Sequence, residues 1–163
     1  MKPSILALVA VGALIMLMYS RDTWSAPASA RPYLSTIYDA ERAQSLPPNL
    51  LARVLYQESR YRQDIITGQE KSRAGAVGIA QIVPRWHPTV DPLNVDEAIH
   101  YAAAYLRRLY NRFGRWDQAL AAYNWGQGNL AKAIEQHGSD WLAHAPQETR
   151  NYVTQIGGDV GVA

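Results

Sequence analysis
The chain of 163 residues contains no cysteine. That excludes a disulfide framework, a thiol nucleophile and thiolate-held zinc. Phenylalanine occurs once, against ten tyrosines and five tryptophans. Amphipathic rings suit a wet groove that stacks on polar ligands such as sugars, and equally an ordinary tyrosine-rich core. A strong excess of either charge is also missing. The net charge is +2 and the pI near 8.9. That is too mild to indicate nucleic acid, though it favours an anionic polymer over a cationic one. The four histidines, His87, His100, His137 and His144, show no ligand spacing, so no metal is expected, and nothing implies a cofactor. There is no internal repeat, and no alternating run reads as a strand beyond a short pair within 61–79.

What is present begins with an apolar run. Ile5 to Tyr19 is fifteen residues without a charge, after Lys2 and before Arg21 and Asp22. The small-residue stretch Ser25–Ala30 follows, with an A-x-A pattern at Ala28-Ser29-Ala30. The run is shorter than the ~20 residues of a full span, but lengthens if Met1–Ser4 and Ser20 are drawn in. Eleven residues from Tyr19 to Ala30 are long for a cleavage region, which favours an uncleaved anchor over a removed signal. Residues 1–30 are therefore expected to form a hydrophobic signal or membrane-anchor helix, and residues 31–163 a single domain delivered across a membrane.

From Pro32 onward the patterning is almost wholly helical. A helix is expected over Tyr33–Ser45, broken by Pro47-Pro48, which then open a second helix. Tyr61–Arg73 is polar and reads as a loop. Asn94 with Glu97 forms a capping box opening a long helix, Val95–Phe113, stopped by Gly114. Shorter helices follow over Trp116–Tyr123, Asn129–Gln136 and Pro146 to about Ile156, where Gly157-Gly158 close the fold and leave a loose tail. Arg107, Arg108, Arg112 and Arg115 read as a solvated basic helix end, and Asp117 as a helix cap.

The second helix carries the feature of most chemical interest. Leu51, Val54, Leu55 and Glu58 stand at i, i+3, i+4 and i+7, so a carboxylic acid occupies the last position of an apolar stripe. Desolvation there raises the acid's pKa, and a glutamic acid still protonated near neutral pH can act as a general acid. The alternative is a helix that frays at Gln57 and leaves Glu58 solvated. A standard glycosidase needs a second carboxylate as nucleophile or base, and none of Asp64, Glu70, Asp91, Asp96, Glu97 or Asp117 stands out for that role.

Four segments together resemble the lytic transglycosylases of the soluble-transglycosylase type, relatives of goose-type lysozyme. They are Gln57-Glu58-Ser59-Arg60-Tyr61, the block Ser72–Pro84, Ala121–Gly128 and Pro146–Val153, in the family's order. The resemblance implies a mainly α, single lysozyme-like domain with at most a very short β segment. It implies non-hydrolytic cleavage of the β-1,4 bond between N-acetylmuramic acid and N-acetylglucosamine in peptidoglycan strands. Glu58 would be first acid and then base, while the sugar's N-acetyl group and C6 hydroxyl supply the nucleophiles and leave a 1,6-anhydro end. It further implies substrate-binding roles for Ser72, Gln81, Tyr123, Asn124 and Tyr152, with the Tyr123 hydroxyl facing the acid. A muramidase that uses water, or a glycan-binding assembly protein without turnover, would share the fold. A small domain with a membrane-crossing N-terminus also resembles the wall-piercing parts of phages and of secretion or conjugation machines, which places it on the periplasmic side of the cell envelope.

Two departures stand out. Ala80 occupies the place where the family has a methionine under the bound sugar, which predicts a cleft that is roomier there or filled from elsewhere. The gap from Glu58 to Ser72 is longer than usual, and the extra residues, Ile65–Lys71, are expected either to form a flap or to displace Ser72.

Overall fold
The computed structural model describes residues 24–162. The apolar run Ile5–Tyr19 lies outside them, as does most of the expected signal or anchor segment. Among the described residues no helix is long and apolar enough to cross a membrane. The seven α-helices of the described residues are α1 (Leu34–Ala43), α2 (Leu50–Ser59), α3 (Gln63–Ile66), α4 (Val95–Phe113), α5 (Trp116–Trp125), α6 (Gln127–His137) and α7 (Gln147–Val160). Two 3-10 segments, Ala28–Tyr33 and Gly138–His144, precede α1 and α7. The domain is mainly helical, as the patterning implies, and the one β feature among the described residues is an isolated bridge between Val77 and Ile82.

Helix α5 packs against α4, α6 and α7, while α2 lies against α1 and α7. The apolar faces of α2, α4 and α5 merge into one core with Ile79 and Ile156. The alternation of large and small residues lets these helices approach closely: Ala98, Ala102 and Ala103 on α4 and Ala119, Ala121 and Ala122 on α5 are all buried.

Helix α2 is buried on more than its apolar stripe, because Leu50, Ala52 and Arg53 are enclosed as well. Arg53 donates to Asp159 (2.6 Å) and Gln57 (3.0 Å), which satisfies its charge inside the fold. This pair explains why α7 does not stop at Gly157-Gly158 but runs to Val160. Asp159 is held by Arg53, and its carbonyl accepts from the Trp24 N–H (3.3 Å). Tertiary contact overrides the weak helical preference of two glycines, and the expected loose tail is helix as far as Val160.

Four further expectations change in detail. The 61–73 loop contains α3, and Tyr61 and Ile66 are buried in it. The capping box at Asn94 is half made: Asn94 accepts from Glu97 N (3.3 Å), but the Glu97 carboxylate turns to Asp91 N (3.1 Å). Asp117 lies inside the first turn of α5, paired with Arg115, and is not its cap. Arg107 is not simply solvated; it donates to the Gln44 carbonyl (2.7 Å) and to Ser45, so it covers the C-terminal carbonyls of α1.

The start of α2 is held from outside the helix. Asn49, its N-cap, has φ 64° and its side chain caps nothing. The buried Glu41 of α1 takes over: its carboxylate accepts from the N–H groups of Leu51 (2.8 Å), Ala52 (3.2 Å) and Asn49 (3.2 Å). Burial pushes the Glu41 carboxyl above its ordinary pKa, and these three N–H groups pull it back. The helix dipole further favours the anion there. Replacing Glu41 by alanine strands buried donors at a helix start, so Glu41→Ala should destabilise the domain by about 3 kcal/mol in urea unfolding. A change of less than about 1 kcal/mol would contradict this capping role.

Candidate active site
The last turn of α2 sets the position of Glu58. Leu51, Val54 and Leu55 are fully buried, and Glu58, next on the same stripe, is half-buried where the helix reaches a cleft. The helix does not fray at Gln57. Ser59 Oγ donates to the Leu55 carbonyl (3.0 Å) and accepts from Tyr61 N (3.2 Å). The Tyr61 hydroxyl reaches back to the Ala52 carbonyl (2.8 Å). Arg60 and Tyr61 both take left-handed conformations, φ 53° and 54°. Such angles are uncommon outside glycine, and here they turn the chain sharply away immediately after the acid.

The cleft beside Glu58 has a volume of about 1170 Å³. Of the residues singled out in the sequence, Ser72, Gln81, Tyr123 and Asn124 line it together with Glu58. Tyr152 does not. It borders a smaller pocket of about 280 Å³ that also has Glu58 and Asn124 in its wall. Glu58 thus stands at the junction of the two spaces.

The tyrosine bonded to the acid is Tyr152, whose hydroxyl donates to Glu58 Oε1 at 2.6 Å. Tyr123, expected in that place, instead donates to the Ala80 carbonyl (3.0 Å). Burial is the main reason the Glu58 carboxyl is pushed up to about 7; the Tyr152 hydrogen bond lowers it, and the charge of Glu148 raises it. The Tyr152 hydroxyl is raised well above its ordinary value, first by burial and then by the Glu58 charge, so it stays a donor. The Tyr123 hydroxyl is raised in the same way.

The remaining predicted residues are held by local geometry. Ser72 closes a turn: its Oγ accepts from Ala76 N (2.9 Å), and its own N–H donates to the Ala76 carbonyl (3.1 Å). The longer gap before it neither displaces it from the cleft nor builds a flap, since none of residues 65–71 lines the cleft. Those residues are tied back instead, by Arg62 bridging Asp64 and Glu70 (2.6 Å to the latter) and by Glu70 N on the Asp64 carbonyl (2.9 Å).

Gln81 has φ 46°, and its amide nitrogen donates to the Gly78 carbonyl (3.1 Å), leaving its side-chain oxygen as an acceptor at the cleft. Gly78 is required for this turn. It has φ +78°, and a Cβ there would meet the Pro92 carbonyl oxygen at 1.9 Å. Ala80 is buried in the cleft floor, where its carbonyl seats Tyr123. Asn124 lies near the end of α5, and its side-chain oxygen accepts from Thr149 Oγ1 (2.8 Å).

Several lining residues had no distinguishing signal in the sequence. Glu148, in the first turn of α7, borders both spaces around Glu58. An acid in a helix's first turn is ordinary on macrodipole grounds, so only the tertiary fold reveals it as the carboxylate nearest in kind to a partner for Glu58. At the cleft's far side Trp86, His87, Tyr101 and Tyr105 form an aromatic wall that continues to Tyr123. Trp86 is 68% exposed. His87 is bonded to the Tyr101 hydroxyl (2.7 Å), and burial followed by the Arg108 charge lowers its pKa.

Comparison with known proteins bears on the family to which the chain belongs. The family profile "Transglycosylase SLT domain" matches residues 35–142. The membrane-bound lytic murein transglycosylase D of Escherichia coli strain K12 is 29% identical over 143 residues, covering 78% of this chain and 30% of the relative. The protein of the same name from Escherichia coli O6:H1 gives the same figures. The chain thus spans about 30% of the length of these curated relatives. The profile includes Glu58, Ser72, Gln81, Tyr123 and Asn124, while Glu148 and Tyr152 follow it on α7. With about two-thirds of its length matched in this way, the chain belongs to the transglycosylase SLT domain family.

Proposed function
We propose that this protein is a peptidoglycan lytic transglycosylase that cleaves the β-1,4 bond between N-acetylmuramic acid and N-acetylglucosamine without water. The observation that carries this reading is a carboxyl group with a pKa near 7, bonded to Tyr152, at the junction of a long cleft and a smaller pocket. Protonated Glu58 donates its proton to the glycosidic oxygen as the bond from C1 breaks. The carbonyl oxygen of the muramic acid's own N-acetyl group bonds to C1 and holds the positive charge as an oxazolinium. Glu58, now a carboxylate, removes the proton from the C6 hydroxyl, whose oxygen displaces the N-acetyl oxygen at C1. The sugar ends as a 1,6-anhydro ring, the N-acetyl group is restored, and Glu58 is protonated again. Intramolecular attack gains from proximity and needs no positioned water.

Ser72, Gln81, Tyr123 and Asn124 would hold the glycan, against the aromatic wall that ends at Trp86. Tyr152 would keep the acid's proton facing the scissile bond. A second reading rests on Glu148: a second carboxylate on the same space could serve as base to a water molecule, which would make the enzyme a muramidase. On the larger scale, the reading is an envelope enzyme held to the membrane through residues 1–30, with the remainder as the catalytic domain. It would open the wall locally, on its own or for a phage, secretion or conjugation assembly. Support for an uncleaved segment comes from Trp24, packed on Tyr56 and Arg53, and from the fully buried Ala30.

Incubation with purified sacculi tests the reaction. The wild-type chain should release muropeptides one water lighter than hydrolysed ends, and Glu58→Gln should lower the rate by about a hundredfold or more without loss of fold. Reducing ends in place of anhydro ends would establish the muramidase reading, and undiminished digestion by the variant would sink both.

The pH profile gives a second test. Bond cleavage needs protonated Glu58, so kcat/KM should fall as pH rises through about 7. Removing the Tyr152 hydroxyl removes a bond that favours the carboxylate, so Tyr152→Phe should move this alkaline limb to higher pH. Removing the Glu148 charge should move it to lower pH in Glu148→Gln. Shifts of the same sign in the two variants would contradict this assignment.

A further inference from the structure
The strap of residues 24–33 borders neither the cleft nor the smaller pocket, yet it is fastened at the root of the acid. Trp24 packs on Tyr56 (ring centroids 5.9 Å), Tyr56 on Tyr61 (6.3 Å) and Tyr61 on Tyr33 (6.0 Å). Both ends of this chain of rings belong to the strap, and its middle rings flank Glu58 in sequence. Within the strap Ala30 is fully buried, and the Tyr33 hydroxyl accepts from Gln63 Nε2 (2.7 Å). Trp24 also covers the ion pair that joins α2 to α7. The Arg53 guanidinium lies 5.8 Å from the Trp24 ring and 5.6 Å from the Tyr56 ring, and the Trp24 N–H donates to the Asp159 carbonyl (3.3 Å). The Arg53 side chain is 5% exposed and that of Asp159 40%. A pair shielded in this way attracts more strongly than one in open water.

Helices α2 and α7 meet at two polar rungs, Arg53 on Asp159 (2.6 Å) and Tyr152 on Glu58 (2.6 Å). The helices therefore run antiparallel here. Tyr152 and Asp159 stand at i and i+7, on one face of α7, with the fully buried Ile156 between them. The rungs are about 7.5 Å apart along α2 and about 10.5 Å along α7. A slide or tilt of α7 that opens the first rung thus carries Tyr152 away from the acid. The Arg53 charge also reaches the Tyr152 hydroxyl, whose pKa it lowers against the stronger upward push of burial. Resting on the reading of this chain as a wall-glycan enzyme, we propose that Arg53 and Trp24 are positioning residues of the reaction: Trp24 clamps the Arg53–Asp159 pair, and the pair sets where the Tyr152 hydroxyl stands against Glu58. The strap is thus a working part of the site, although it touches no substrate. It follows directly on residues 1–23, so the segment read as the anchor is connected to the acid through Trp24, Arg53 and α7. Drawing the strap off α2 would lower activity without altering the cleft.

The groups that face Glu58 are Tyr152 and Glu148 on α7 and Tyr123 on α5, so its titration reports where α7 sits. Trp24→Ala and Asp159→Ala, each in the full-length chain, are followed by carbon-13 titration of Glu58 without substrate. The sign separates two causes. Loss of the Asp159 charge by itself lowers the pKa of a nearby acid, whereas a loosened Tyr152 bond raises it. Both variants should raise the Glu58 pKa by about half a unit. In a Tyr152→Phe chain the same substitutions should raise it no further. On sacculi both should lower kcat by about fivefold with little change in KM. Asp159→Ala leaves a buried cation unpaired, so thermal melts check its fold; Trp24→Ala keeps the pair and carries the test by itself where the other variant does not fold. A Glu58 pKa that stays put or falls, or a rise that persists undiminished in the Tyr152→Phe chain, overturns the positioning role whether or not the wall is cleaved. A wild-type chain that releases no wall fragments sinks the enzymatic reading, and the titration tells that apart from a failure of the clamp.

Discussion
Taking a carboxyl group out of water makes its ionisation expensive, and the site depends on that constraint at Glu58. The acid is half-buried at the end of α2, with no cation paired to it among the described residues. Burial, not a neighbouring charge, is the leading reason its pKa stands near 7. A single hydrogen bond from Tyr152 works in the opposite direction and keeps the group from being lifted further. The same balance bears on the fold. A carboxyl whose folded pKa is raised adds stability below the unfolded value, and that stability is lost as pH rises through about 7. The folded chain therefore favours the neutral form of Glu58, the state a general acid needs.

Such a group needs a rigid support, and α2 is held at both ends. Glu41 satisfies the N–H groups at its start, and Ser59 and Tyr61 close its finish. Along its length Arg53 ties the helix to Asp159 on α7, the helix that also brings Tyr152 and Glu148 to the acid. One set of contacts thus aligns the Glu58 carboxyl, the hydroxyl bonded to it and the polar pocket beside it. The aromatic wall and the Gly78 turn come from other elements, and they reach the site through the core that α4 and α5 share with α2.

Much of this was legible in the chain itself. The i, i+3, i+4, i+7 spacing put Glu58 on the apolar stripe of a helix, because that period is a local signal. The strong helix stop at Gly114 was likewise a local signal. What local pattern could not supply was the partner of each polar group. Glu41 resembles any acid on a surface helix, and its role appears only when α2 is laid against it. Of two tyrosines in different blocks, Tyr123 was the one expected to face the acid. The choice of Tyr152 over Tyr123 is made by the packing of α7 on α2 and by the Ala80 carbonyl that engages Tyr123. The glycines at 157 and 158 read as a terminus, and only the Arg53–Asp159 pair explains why they do not end the helix.

The central claim concerns the protonation state of one side chain, and it can be measured without substrate. Carbon-13 labelling of the glutamate carboxyls followed by an NMR titration would report each pKa, with Glu58→Gln identifying the resonance. The account predicts that the Glu58 signal titrates near 7. Titration near the ordinary glutamate value of about 4.3 would show that the acid is solvated as an anion, and would contradict the account.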